Sequence, residues 1–188
     1  MKLKNQNILF IVRTMGLGGT ENVVLQLCEI LYGKVNKIII CSSGGVHEDK
    51  LSSMGIKHYT IPDIASKRLD DMVECYTKIK SIIKKEKITV IHSHHRMAAF
   101  YAELTAPKNV MKIANAHNTF QDKKKLTQFA YRNTKLIAVG EMVKKNLTEY
   151  FEIPAKQVSV IHNAVKAFDG SINSVEVLQA ERSNGKVL

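Results

Sequence analysis

Residues 7–31 read NILFIVRTMGLGGTENVVLQLCEIL, and this stretch decides which fold is predicted. Residues 7–12 are a continuous β-branched and aromatic run, which is typical of a strand buried on both faces. A glycine-rich turn, Gly16–Thr20, follows, and apolar residues then recur from Val23 to Leu31 at the spacing of one helical face. We therefore predict a strand, a tight turn and an amphipathic helix, with Thr20 as the helix N-cap and Glu21 in the first turn.

The same alternation continues along the chain. Strand-like runs recur at 35–41, 56–61, 88–92, 110–116, 135–139 and 157–162, and the clearest helical stripe covers 69–87. Unbroken apolar strands that alternate with helices imply a parallel sheet with helices on both faces. We predict an α/β fold, a doubly wound, Rossmann-like parallel sheet of about seven strands. Ligands of such sheets bind beyond the carboxyl ends of the strands.

Length and composition narrow the class of protein. The chain has 188 residues, 45% of them hydrophobic, and its 28 Lys and Arg against 17 Asp and Glu give a net charge of +11. This length suits one domain with a short appendage and excludes an eight-stranded α/β barrel of about 250 residues. No apolar run approaches the roughly 18 residues of a membrane-spanning helix. The three cysteines are widely spaced in apolar patterns, which indicates buried thiols and a cytoplasmic location.

The Gly16–Thr20 turn leads onto a helix N-terminus, where free backbone N–H groups favour an anion. A phosphate-bearing ligand is one interpretation, and a purely structural turn is the other. The common nucleotide fingerprints are absent, because Gly-x-Gly-x-x-Gly would need glycine where Glu21 stands and no Gly-Lys-Ser/Thr sequence closes a phosphate loop. The turn alone leaves both interpretations open.

Histidines follow two further strands. Strand four runs into HSHHR at 92–96, and His117 follows strand five. Strand alternation places His92 and His94 on one face of the sheet and His95 on the other. The cluster has two interpretations, a metal site or an anion site. The metal interpretation needs ligands on a common face. We expect His92 to be a buried structural histidine, and we expect His94 and His117, which directly precede loops, to belong to a site.

Four stretches, taken in order, resemble a known family. They are MGLGGTE at 15–21, VIHSH at 90–94, AHN at 116–118, and IAVGE at 137–141 followed by VSVIHNAV at 158–165. Together they resemble the N-terminal half of a GT-B glycosyltransferase of the large retaining group, glycosyl transferase group 1 or family 4. The sequence departs from that family at Gly140, where serine is usual, and at Asn163-Ala164, where Asn-Gly is usual.

The resemblance implies roles for individual residues. Gly18, Gly19 and Thr20 would lie against the diphosphate of a nucleotide-sugar donor, and His117 would be the catalytic residue beside the transferred sugar. Four side chains would line the acceptor side: His94, Arg96, Asn118 and Glu141. From its position alone, Glu141 is more often a first-turn carboxylate that complements a helix dipole. The family generally acts without a metal, so the resemblance implies no metal ligand and no cofactor.

The resemblance also implies a function. Family members transfer a sugar with retention, so that the acceptor hydroxyl attacks on the face from which the nucleotide diphosphate leaves and a donor phosphate oxygen takes the proton. The partners would be a nucleotide-sugar donor and a glycan or lipid-linked acceptor, in cell-envelope or polysaccharide biosynthesis. A second domain holds most of the donor in this family. We therefore expect residues 1–165 to form the acceptor-side domain and 166–188 to be a linker and the start of a missing donor domain, so that this chain alone should not transfer sugar.

The charge of +11 has several explanations. Nucleic acid is not an expected partner, because aromatic residues are only 6%, tryptophan is absent and no nucleic-acid module is recognisable. Lysines on helices are commonly a solvated face. An anionic membrane surface at the inner face of the cell membrane is the third explanation, since the lysines within 78–87, 123–125 and 144–145 would contribute about 1 kcal/mol each near such a surface.

Two other classes of function stay open. The first is a non-catalytic α/β module that binds an anion or a partner at the glycine-rich turn, and a reading frame that stops after Leu188 would favour it. The second is a histidine-centred metal hydrolase, which would hold stoichiometric zinc.

Overall fold

The computed structural model describes residues 2–164 and shows a parallel sheet. Its strands are β1 Asn7–Ile11, β2 Lys37–Ser42, β3 Lys57–Thr60, β4 Val90–Ser93, β5 Met111–Ala116, β6 Lys135–Ala138 and β7 Val158–Val160. They form one seven-stranded sheet in the order β3-β2-β1-β4-β5-β6-β7, and every neighbouring pair is parallel. The predicted Rossmann-like sheet is confirmed, and the strand ends differ from the prediction by at most two residues.

Within residues 2–164, six α-helices lie between these strands. They are α1 Gly19–Leu31, α2 Glu48–Ser53, α3 Leu69–Lys85, α4 Arg96–Thr105, α5 Lys124–Tyr131 and α6 Glu141–Lys145. α6 continues as a π-helical turn over Asn146–Tyr150, and 3-10 turns cover Leu3–Asn5 and Ala155–Gln157.

The predicted N-cap at Thr20 is wrong. α1 begins at Gly19, and Gly18 is the N-cap with the extended backbone of a capping residue, φ −170° and ψ 163°. Thr20 therefore lies inside the first turn of the helix. The long predicted helix also ends earlier than expected, at Lys85, because Lys87 has a left-handed φ of 52° that an α-helix cannot contain.

Helices pack on both faces of the sheet. The buried cluster that contains Leu9 includes residues of α3 and α4, and a second cluster around Leu136 includes residues of α5 and α6. The cluster that contains Phe10 includes residues of α1 and α2. Leu9 and Phe10 fall into different clusters because successive strand residues point to opposite faces. All three cysteines are buried and free, as predicted: Cys28, Cys41 and Cys75.

The strand order reverses between β1 and β4. The chain steps outward from β1 to β2 and β3, then crosses to β4 and continues on the other side. Ile11 of β1 pairs with Ser93 of β4, so the Gly16–Thr20 turn and His94 leave the sheet from neighbouring strands. Doubly wound sheets bind ligands in the crevice at this switch point.

The loop after β2 anchors the glycine-rich turn. The backbone N–H of Met15 donates to the carbonyl of Gly44 at 2.9 Å, and the carbonyl of Met15 accepts from the N–H of His47 at 3.0 Å. Gly45 has a φ of +152°, and a Cβ there would collide with the backbone of Met15. This close approach requires glycine, and it fixes the base of the turn.

No helix in the described part of the chain combines the length and the apolarity that crossing a bilayer requires. The predicted linker and start of a donor domain, 166–188, lie outside the described residues.

Candidate functional site

The N-terminus of α1 is open at the switch point. Gly19 is exposed, and a Cβ built on it would meet no heavy atom within 4 Å. Within residues 2–164, no acceptor bonds the backbone N–H of Gly19 or Thr20. Leu17 in the same turn is 87% exposed. These unpaired amides at the positive end of the helix dipole are available to an anion.

Glu21 brings a carboxylate to the same helix end. Its Oε1 accepts a hydrogen bond from the Thr14 hydroxyl at 2.6 Å, and the carboxylate lies against Gly18, where a Cβ would collide with it. A carboxylate in this position complements the helix dipole. An anion that binds at Gly19 must therefore tolerate a negative charge nearby. The sequence predicts Glu21 in the first turn but carries no signal for its bond to Thr14.

Three imidazole rings form a row across the ends of β4 and β5. The ring centroids of His92 and His94 are 4.5 Å apart, and those of His94 and His117 are 5.5 Å apart. Phe10 of β1 lies against the first two rings, at 5.3 Å and 5.9 Å. The prediction that His92 and His94 share a face is confirmed.

His92 and His95 have structural roles. His92 is buried, as predicted, and its Nε2 donates to Oδ1 of Asn115 at 2.8 Å. Burial lowers the pKa of His92 to about 4, so the ring is neutral at pH 7. His95 is the N-cap of α4, where its Nδ1 accepts the backbone N–H of Met97 at 3.1 Å.

His94 and His117 face each other directly. Nδ1 of His94 lies 3.3 Å from Nε2 of His117, within hydrogen-bond distance. His94 is only 3% exposed, whereas His117 is half-buried. Burial lowers the pKa of both rings, and the negative charge of Glu21 partly opposes this for His117. The structure thus places His94 beneath the surface and against His117.

Metal binding was the other sequence interpretation of this cluster. Among residues 2–164, no three or more His, Cys, Asp or Glu side chains are grouped so as to hold a metal ion. The facing nitrogens of His94 and His117 bond to each other instead of converging on a common point.

Arg96 begins α4 and is held in place by the loop after β5 and by Thr127 of α5. Its guanidinium, 11% exposed, donates through Nη1 to Oδ1 of Asp122 at 2.9 Å and to Oγ1 of Thr127 at 3.2 Å. The guanidinium carbon also lies 4.8 Å from the centre of the Phe120 ring. Its charge is therefore partly neutralised and its direction fixed. The sequence offers no local pattern that places Asp122 or Phe120 here.

A cavity of about 70 Å³ brings most of the predicted site residues together. Its walls include five of them: Thr20, His94, Arg96, His117 and Asn118. The open glycines of the turn adjoin it through Thr20.

Glu141 lies outside the walls of this cavity. It is exposed in the first turn of α6, whose N-cap is Gly140. A Cβ on Gly140 would meet no heavy atom within 4 Å, so this second helix N-terminus is also open. The acceptor-side role of Glu141 stays a prediction.

A groove of about 430 Å³ that the sequence did not predict shares His95 and Arg96 with the cavity. It is lined by residues of α3, α4 and α5 and the loops before them. Its apolar lining is contributed by Met72, Met97, Phe100 and Leu126. Its exposed basic lining is Lys67 and Lys123, and no acidic residue of the described chain lines it.

The opposite edge of the sheet carries a cleft of about 480 Å³ next to Glu86. The Glu86 carboxylate accepts from Tyr59 at 2.5 Å, Lys57 at 3.0 Å and Lys37 at 3.2 Å. These hydrogen bonds lower the pKa of Glu86 to about 2. The paired carboxylate links the end of α3 to β2 and β3. It has few free acceptor positions left for a ligand.

Comparison with known proteins finds relatives of this arrangement. The sequence model of Glycosyltransferase Family 4 matches residues 17–167. A glycosyltransferase from Rickettsia africae superimposes with a TM-score of 0.73 at 21% identity, over 96% of this chain and 50% of its own. Anabaena Alr3699/HepE in complex with UDP and glucose superimposes with a TM-score of 0.70 at 13% identity, over 96% and 50%. The UDP-GlcNAc 2-epimerase from Neisseria meningitidis bound to UDP-GlcNAc gives 0.60 at 15% identity, over 97% and 54%.

These structures share the fold, and their low identities show no more than that, since an epimerase is among them. This chain spans about half the length of each of the three. No curated protein sequence matches it. The family model, unlike the shared fold, identifies the family. It matches most of the chain, including Gly18, Gly19, His94 and His117. The chain belongs to glycosyltransferase family 4.

Proposed function

We propose that this chain is the acceptor-side half of a retaining glycosyltransferase, which transfers a hexosyl group from a nucleotide-sugar donor to a lipid-linked glycan acceptor in cell-envelope or polysaccharide biosynthesis. Membership of glycosyltransferase family 4 supports the reaction class. The observation that carries the proposal is the open N-terminus of α1 at Gly19, which adjoins, through Thr20, the cavity containing His117. Such a site would hold the diphosphate of the donor at the helix N-terminus and its attached sugar beside the neutral imidazole of His117.

The donor diphosphate would lie at Gly18, Gly19 and Thr20. When the bond between sugar and phosphate breaks, negative charge grows on the leaving diphosphate, and unpaired amides at a helix N-terminus stabilise it without a side chain. The missing Cβ of Gly19 allows phosphate oxygens to approach the backbone. The negative charge of Glu21 weakens anion binding by this half alone. We assign the remaining donor contacts to a second domain.

His117 would contact the transferred sugar. The neutral ring forms part of the cavity wall, and one of its nitrogens is bonded to His94. A neutral imidazole can hydrogen-bond a sugar hydroxyl or stabilise charge that develops near the reacting carbon. The neighbouring Asn118 adds an exposed amide. In a retaining transfer of this kind the acceptor proton passes to a donor phosphate oxygen, so this chain need not supply a general base.

The acceptor would bind along the groove of about 430 Å³. Its apolar lining suits a lipid tail, and Lys67, Arg96 and Lys123 suit the phosphates that join a lipid to a glycan. We further propose a cytoplasmic location, peripheral at the inner face of the membrane. A membrane-bound acceptor would be presented to the groove there.

The Gly19→Ala chain tests the donor site. The change adds a methyl group where a phosphate must approach, while the helical backbone and the open space around the new Cβ preserve folding. We expect the affinity for inorganic pyrophosphate, measured by isothermal titration calorimetry, to fall about tenfold. Gly140→Ala is the matched control, because Gly140 also lies at an open helix N-terminus. Equal affinity of both variants and the unchanged chain would contradict the proposed site.

The His117→Ala change tests the transferase. In a polypeptide that joins this chain to a donor-binding domain, we expect the turnover of a nucleotide-sugar to fall about 100-fold, the effect of losing one transition-state hydrogen bond. Folding should be retained, because His117 is only half-buried. Replacing the exposed His162 by alanine is the control. Unaltered sugar transfer by the His117→Ala protein would rule out the role proposed for His117.

A further inference from the structure

The contact between His94 and His117 requires one ring to donate an N–H hydrogen bond to the other. Nδ1 of His94 and Nε2 of His117 are 3.3 Å apart, and the rings are tilted by 28°. Two neutral imidazoles bond only when one supplies an N–H and the other a lone pair. Burial lowers the pKa of both rings, so neither carries a second proton near neutral pH. Two arrangements of the protons therefore remain.

The far side of the His94 ring distinguishes these arrangements. Nε2 of His94 is buried and has no hydrogen-bond partner in the described chain. If Nδ1 carries the proton, this buried Nε2 is a lone pair. If Nδ1 accepts, the buried Nε2 is an N–H donor without an acceptor. A buried unpaired N–H is the rarer and costlier defect, so the proton belongs on Nδ1.

The surrounding rings hold His94 in this orientation. His92 lies against one side at 4.5 Å between centroids with the rings tilted by 38°, and His117 lies against the other side at 5.5 Å. His92 is itself fixed by its hydrogen bond to Asn115. The buried His94 ring is therefore confined and presents the same nitrogen to His117.

We propose that His94 is a positioning residue for His117: it donates Nδ1–H to Nε2 of His117 and thereby keeps the single ring proton of His117 on Nδ1. Nothing within residues 2–164 bonds Nδ1 of His117, and the ring lines the cavity, so this N–H is left for a ligand. His117 then acts as a hydrogen-bond donor to a sugar hydroxyl or phosphate oxygen and not as a general base. The role of this N–H in sugar transfer rests on the proposed function, whereas the position of the His117 ring proton does not depend on it.

The test is a long-range ¹H–¹⁵N correlation spectrum of the ¹⁵N-labelled chain at about pH 7.5, above the ordinary imidazole pKa. The pattern of ring couplings distinguishes Nδ1–H from Nε2–H, and the signals lost in the His117→Ala chain identify His117. We expect Nδ1–H for both His94 and His117. In His94→Phe, which keeps a ring in the stack but removes the donor, His117 should change to Nε2–H.

An Nε2–H signal for His117 in the unchanged chain would overturn the proposal. So would a His94→Phe chain in which His117 keeps its proton on Nδ1, because another group would then set the tautomer. If His94→Phe does not fold, the ring protons of His94 and His117 in the unchanged chain decide between the two arrangements. No substrate is present in these spectra, so their outcome is independent of pyrophosphate binding and of sugar transfer.

Discussion

His92 couples the stability of the folded chain to pH. Burial lowers its pKa from 6.5 to about 4 on folding. Between these values the unfolded chain binds a proton that the folded chain does not, so the contribution of His92 to stability is fully present above pH 6.5 and is lost as the pH falls towards 4. The loss from His92 amounts to about 3 kcal/mol. His94, whose pKa is also lowered by burial, acts in the same direction.

We therefore expect the free energy of unfolding, measured with urea, to decrease as the pH falls from about 6.5 towards 4. The His92→Gln chain retains an amide donor for Asn115 but has no titrating ring there. Its pH dependence should be shallower by up to about 1.4 kcal/mol per pH unit. Parallel curves for His92→Gln and the unchanged chain would contradict this account.

At the scale of residues, the sequence predicts relations along one strand or one turn. Alternation along β4 correctly places His92 and His94 on one face. The glycine pattern predicts a turn that leads onto a helix, but the N-cap is Gly18 and not the predicted Thr20. The Arg96–Asp122 contact joins residues 26 positions apart, and it depends on the course of a loop that no periodic pattern describes.

At the scale of elements, one buried carboxylate joins α4, β5 and the end of α5. The side chain of Glu103 in α4 is 3% exposed. Its carboxylate accepts hydrogen bonds from Lys112 of β5, from Arg132 at 2.6 Å and from Asn133 at 2.8 Å. Burial by itself would raise the pKa of Glu103, but these hydrogen bonds lower it overall. The charge is therefore present in the folded chain and is compensated from separate elements.

Removing this charge should destabilise the chain. We expect Glu103→Gln to lower the free energy of unfolding by about 3 kcal/mol, because Lys112, 11% exposed, is left without its carboxylate. Glu74→Gln is the matched control: Glu74 pairs with Lys78 one turn along α3, both are exposed, and the change should cost at most about 0.5 kcal/mol. Urea unfolding of the two variants measures the difference. Equal unfolding free energies would show that the buried pairing contributes nothing.

Periodicity predicts the existence of a helix or strand more reliably than the residue at which it ends. The apolar stripe over 69–87 predicts α3, but the helix ends where the backbone of Lys87 becomes left-handed. Thr20 has the better capping side chain, yet the extended backbone of a cap occurs at Gly18. Ends depend on single backbone conformations, and these follow from contacts with the neighbouring loops.

At the scale of the whole molecule, the topology of the parallel sheet distributes the lysines between its two edges. Residues that directly follow a strand lie at the carboxyl edge with the candidate site, and residues that directly precede one lie at the amino edge. Lys123, Lys124 and Lys125 follow β5 and begin α5 at the carboxyl edge, whereas the lysines within 84–87 precede β4 at the amino edge. A net charge of +11 carries no information about this division, which depends on topology.

Exposed apolar side chains accompany the lysines at the carboxyl edge. Leu17 follows β1, Leu69 begins α3 and Met142 lies in the first turn of α6, and they are 87%, 78% and 79% exposed. Basic and apolar side chains on one surface are typical of proteins that lie on an anionic membrane. This edge is therefore the one that we expect to face the bilayer.

The chain should co-sediment with vesicles that contain anionic phospholipid at low salt and be released at high salt, because screening shortens electrostatic attraction to about 10 Å at 0.1 M. Changing Lys123, Lys124 and Lys125 to glutamine should weaken binding by up to about 3 kcal/mol. The same change at Lys84, Lys85 and Lys87 removes an equal charge from the opposite edge and should leave binding nearly unaltered. Neutral phosphatidylcholine vesicles are the lipid control. An equal loss from both triple variants would show that net charge alone governs binding, and sedimentation that does not respond to salt would remove the membrane from the proposed function.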